Sequence, residues 1–166
     1  MPDSKPQNGF CEVTIREIGR IQDSIVKRSG MEAFPRAWPY YVRHAINIHN
    51  HRPRKRKDGS FRSNAEVWYG RTMETFEKLF LPFGCYVIPM HPKDQKRRYG
   101  SKTYEGIYFG IAEGYKGVVI LDIKAGKFRI ARSLKADVSY FPFVDKIDIH
   151  KSLKDIIVKY LSLIHI

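Results

Sequence analysis

The hydrophobic period of this chain changes near Phe83, and that change limits the folds open to it. Upstream, Cys11, Ile18, Ile21 and Ile25 recur at helical steps and mark one apolar face. Asn8 supplies an N-cap, Gly9 tolerates a tight entry and Ser29-Gly30 ends the pattern, so the spacing predicts a helix over residues 9–28. A second helix is expected over 35–49, with Pro35 in its first turn and Pro39 within the first two turns or at a kink. Trp38, Val42, Ala45 and Ile46 would form its buried stripe. Residues 52–63 are a Pro-, Gly- and charge-rich loop, and 65–69 a short helical turn before Gly70. Downstream of Phe83, five short β-rich runs follow at 85–88, 106–109, 117–123, 127–131 and 137–140, punctuated by Gly, Lys and Asp. Strands of this length and spacing suit a small, strongly bent five-stranded barrel.

The expected class is therefore α+β, with a helical part over 1–80, a β-barrel over 81–143 and an amphipathic helix or linker over 144–160. The helices and the barrel are expected as two units without one shared core. Trp38, Trp68 and the Phe83-Gly84 pair read as architecture, because large aromatics at such spacings are mostly buried. The last six residues, Leu161-Ser162-Leu163-Ile164-His165-Ile166, read as the translation of CTGTCTCTTATACACATC, the end of a transposase adaptor used in sequencing libraries. Such a segment carries no fold information.

Charge narrows the class of partner. The formal net charge is +13, from 30 Lys and Arg against 17 Asp and Glu. Residues 52–62 hold six Lys/Arg and one Asp, and residues 93–102 hold five and one, so two short stretches supply nine of the thirteen charges. Clustered cations of this kind fit a polyanion, above all a phosphate backbone. Cys11 and Cys85 sit among apolar neighbours and read as buried free thiols of a reducing compartment. His49-x-His51 has no Cys partners at zinc-ligand spacing. No run of about 18 apolar residues and no signal peptide is visible, so the expected location is nuclear or cytoplasmic, with no membrane partner.

An ordered series of motifs adds to this reading. Pro6-Gln7-Asn8-Gly9-Phe10-Cys11-Glu12 is followed by Trp38, Asn50-His51-Arg52-Pro53, Glu66-Val67-Trp68-Tyr69-Gly70, Phe83-Gly84-Cys85 and Gly106-Ile107-Tyr108-Phe109-Gly110. From about residue 3 to residue 143, this order resembles the C-terminal half of a copia-type LTR-retrotransposon integrase. The sequence departs from that family in carrying Val13 where Arg commonly follows the catalytic Glu, and Asn64 where Pro is usual. The resemblance implies an RNase H-like enzyme in which Glu12 is the last acid of an Asp-Asp-Glu metal triad, with both Asp partners upstream of Met1. It implies Mg²⁺ or Mn²⁺ in the complete enzyme, DNA as partner (element ends and target), and a homo-oligomer.

The residue types agree with that chemistry. Strand transfer needs several hard oxygen ligands to hold two metal ions, and Glu12 at a helix N-terminus is favoured as a carboxylate. Arg16, Arg20 and Lys27 on the same side are candidates for flanking phosphates. The loops add Arg52, Arg54, Lys55, Arg56, Lys57 and Arg62, then Lys96, Arg97, Arg98 and Lys102. Pro53-Arg54-Lys55-Arg56-Lys57 also has the composition of a nuclear-localisation cluster. One carboxylate cannot hold a metal pair, so the chain alone is expected to bind DNA without joining it. A reading from another class is a stand-alone nucleic-acid or chromatin-binding module whose helices brace the barrel. An unrelated hydrolase lacks any nucleophile with a base and orienter at recognisable spacing.

Overall fold

The computed structural model describes residues 9–33, 37–70, 80–91 and 102–145. Helix α1 spans Gly9–Ser29 and α2 spans Trp38–His51, joined through a 3-10 turn at Met31–Ala33. The sequence placed α1 within a residue of its end. Helix α2 begins later than expected, with Pro39 inside its first turn, where its missing N–H costs nothing. Asn8, Pro35 and residues 146–160 of the helix or linker expected over 144–160 lie outside the described residues.

A two-strand hairpin follows, β1 at Arg54–Lys55 and β2 at Phe61–Arg62, and leads directly into α3 at Asn64–Tyr69. The loop expected here thus carries strand pairing. Helix α3 starts at a reciprocal capping box, with the Ser63 hydroxyl accepting from Glu66 N and the Glu66 carboxylate accepting from Ser63 N. It ends at Gly70.

Five strands make the second sheet: β3 Tyr86–Pro89, β4 Gly106–Ile111, β5 Val118–Asp122, β6 Lys127–Ala131 and β7 Leu134–Asp137. All neighbours are antiparallel and the order is β6-β5-β4-β3-β7. The sheet is open, and the expected barrel is corrected accordingly: among the described residues, β6 and β7 are its two edges. The expected bending does hold. Laid flat, five strands would put β6 and β7 about 19 Å apart. Yet only Arg132 and Ser133 join them, a link that reaches no further than about 11 Å. The sheet must curl until those strand ends approach. A bulge between Tyr108 and Ile111 assists the bend, and Gly110 adopts φ +108 there. The last strand lies three residues earlier than the sequence suggested, because pairing with β3 sets Pro89 opposite Leu134.

Two apolar clusters use the two faces of β4. Ile107 and Phe109 join Leu121, Phe83, Ile25, Met31, Tyr41 and Ala45 in a core built by both helices and the sheet. Tyr108 points the other way, into a cluster with Val87, Val118, Ile120, Ala131 and Phe141. The expectation of two units without a common core is therefore corrected. Tyr40 carries the join, stacked on Phe128 at 5.1 Å and edge-on to Phe109 at 5.7 Å. Ile18 and Ile21 pack against the same core.

Several side chains depart from the expected burial. Trp38 is 58% exposed and Trp68 84% exposed, and Ile46 faces outward too. Phe83 and Ala45 are buried as expected, and Val42 is half-buried. Cys11 is exposed, since the first two turns of α1 extend beyond the core, whereas Cys85 is buried and burial pushes its thiol up to about 12. Gly84 holds the helical and β parts close together. Its φ is +81, and a Cβ there would lie 2.6 Å from that of Ser29, the last residue of α1.

Candidate nucleic-acid interface

The basic stretch after α2 folds because its arginines have partners. The lone acid, Asp58, accepts from Ser60 N at 2.9 Å, from the Ser60 hydroxyl at 2.6 Å and from Arg62 at 2.8 Å. The Ser60 hydrogen bonds, with the charge of Arg62, hold the Asp58 carboxyl below the usual range. Arg56 donates to the carbonyl of Arg62 at 3.2 Å and to Asn64 Oδ1 at 2.9 Å, tying the hairpin to the start of α3. Arg54 reaches back to α1, donating to Glu17 Oε2 at 2.6 Å and meeting His49 Nδ1 at 3.1 Å. Since guanidinium only donates, Nδ1 accepts and His49 is the neutral tautomer. Burial and the Arg54 charge lower the His49 pKa accordingly, and the Arg54 hydrogen bond lowers that of Glu17.

These contacts divide the sequence candidates. Arg54, Arg56 and Arg62 are hydrogen-bonded within the protein, so part of their donor capacity builds the hairpin. Arg52, Lys55 and Lys57 are exposed. In the register, Lys55 opposes Phe61 and Arg54 opposes Arg62. Paired residues share a face, and Arg54 marks the inner one by its reach to Glu17. Lys55 and Phe61 therefore take the outer face. Lys102 is exposed at the start of the segment leading to β4, while Lys96, Arg97 and Arg98 lie outside the described residues.

On α1, Glu12 stands exposed in the first turn, and Arg16, Arg20 and Lys27 are exposed along the helix. Arg20 and Arg28 border a cleft of about 510 Å³ between α1, α2 and residues 80–83, with His44 in its lining. Among the described residues, no group of three or more His, Cys, Asp or Glu is placed to hold a metal ion. Those residues alone do not fit a two-metal centre, and Glu12 could serve one only with acids from elsewhere.

Sequence reasoning missed Glu17 and His49, the two residues that anchor the hairpin. The one signal for Glu17 was its place one turn before Ile21, on the flank of the apolar stripe. It also missed the exposure of Phe61, Trp68 and Tyr69, and nothing in the spacing of those residues reveals it. The comparisons with protein-family models, curated proteins and solved structures gave no match.

Proposed function

We propose that the chain binds DNA as the C-terminal part of a copia-type integrase, in which Glu12 supplies the third acid of the metal site. The observation that carries the DNA-binding part is the folded basic hairpin. Its internal hydrogen bonds fix the fold, and Arg52, Lys55 and Lys57 remain exposed for phosphates. Contacts of this kind position a nucleic acid without reading its sequence. The ordered motif series and the exposure of Glu12 in the first turn of α1 support the integrase part.

Binding is tested by replacing Arg52, Lys55 and Lys57 with Ala and titrating a mixed-sequence duplex at several salt concentrations. Each lost phosphate contact removes about 0.9 from the slope of log K against log salt, so affinity should fall and the slope flatten by about 2 to 3. An unchanged slope would reduce the hairpin to a solvated surface. The catalytic part is tested in the gene context. An upstream reading frame with a strand-borne Asp supports it, as does loss of strand transfer, with binding retained, in full-length Glu12→Gln.

A second reading, a self-contained nucleic-acid-binding module, draws on the core shared by helices and sheet. A stop codon and promoter directly before Met1 would favour it.

A further inference from the structure

The basic hairpin does not stand alone on its surface. Phe61 is 70% exposed on its outer face beside Lys55, and α3, which follows at once, presents Trp68 and Tyr69, 84% and 60% exposed. The arrangement is fixed. The Arg56 bond to Asn64 Oδ1 ties strand to helix, and the capping box sets the direction of α3. Two extended residues and five helical steps separate Phe61 from Trp68, a span of at most about 15 Å. Exposed apolar patches rimmed by polar residues mark interaction sites on a monomer's surface. Lys55 lies opposite Phe61 in the register, and Lys57 and Arg52 are exposed on the same hairpin segment, so the occupant that fits both features is anionic and carries flat π faces.

We infer that the hairpin and α3 form a stacking platform for unpaired nucleotides, with Trp68 and Phe61 taking bases while Lys55 and Lys57 meet the backbone. The inference rests on the nucleic-acid reading above and narrows its substrate class to single strands, or to duplex ends whose bases are splayed. A closed duplex offers its phosphates to the lysines but no base face to Trp68. Base–aromatic stacking tolerates any base, so the preference is for strandedness and not for sequence.

The test uses the full chain with Trp38→Phe, leaving Trp68 as the sole tryptophan. Oligo(dT) should quench its fluorescence, and a relaxed, covalently closed circular duplex at equal phosphate concentration should not. Trp68→Ala should weaken oligo(dT) binding about tenfold, within the range for loss of one stacked base, and leave duplex affinity unchanged. Trp68→Phe should restore most of the loss. Equal weakening of both nucleic acids, or of neither, would overturn the stacking platform while leaving the hairpin reading intact. Failure of the parent chain to bind either at low salt would overturn the nucleic-acid reading itself. Circular dichroism of each variant separates loss of fold from loss of contact.

Discussion

Replacing His44 with Leu should remove a large part of the acid sensitivity of this fold. His44 is buried on α2, ringed by Phe83 at 5.6 Å, Tyr108 at 5.7 Å and Phe80 at 6.2 Å, and its Nδ1 has no hydrogen-bond partner among the described residues. Burial favours the neutral ring and lowers its pKa from 6.5 to about 4. The folded pKa lies below the unfolded one, so the unfolded chain takes up the proton first as pH falls. The stability contribution is therefore complete above pH 6.5 and is lost progressively down to about pH 4. At about 1.4 kcal/mol per pKa unit, the loss is about 3 kcal/mol. A leucine side chain cannot take up a proton, and the substitution removes a buried nitrogen that lacks a partner, so stability at about pH 7.5 should be little changed. The assay is urea unfolding of both proteins, followed by circular dichroism from about pH 7.5 to about pH 4. Their difference isolates His44 from His49, whose pKa is also lowered. Parallel stability curves would show that His44 does not titrate as a buried group, and that the packing around it is looser than described.

Gly84→Ala should destabilise the fold by about 2–5 kcal/mol, combining the strain of a left-handed backbone with a Cβ forced against Ser29; chemical denaturation measures it. Arg54→Gln should raise the Glu17 pKa towards its ordinary carboxylate value, read by NMR titration, because the Arg54 hydrogen bond is the main cause of its lowering. The isolated chain should neither cleave nor join DNA in Mg²⁺ or Mn²⁺, and turnover of a labelled oligonucleotide would show that Glu12 is not one part of a divided triad.

The helices and most strands were legible because burial imposes a period. Ile18, Ile21 and Ile25 mark the inner face of α1, and Ile107 and Phe109 alternate with Tyr108 across β4. The hairpin was not legible. Its strands are two residues long and mostly cationic, and their pairing is fixed by Asp58, Glu17 and Asn64 instead of by apolar alternation. The expected barrel failed on closure, which depends on pairing between strand edges and leaves no trace in hydrophobicity. Trp38 and Trp68 misled because size and apolarity predict burial only on average. Of the candidate site, the cationic residues could be listed from sequence; their division into those that build the hairpin and those that face solvent needed geometry.

The curled sheet that stops short of closure has a cost the closed form would not have. Among the described residues, β6 and β7 each present an edge of backbone donors and acceptors that can recruit a strand from another molecule. Charge guards both. Lys127 is exposed on β6, and Lys135 and Asp137 are exposed on β7. Two copies of a chain with a net charge of +13 repel each other, and high salt would screen that repulsion. The conditions that release a polyanion from the basic hairpin are thus the ones in which this fold is most prone to assemble edge to edge.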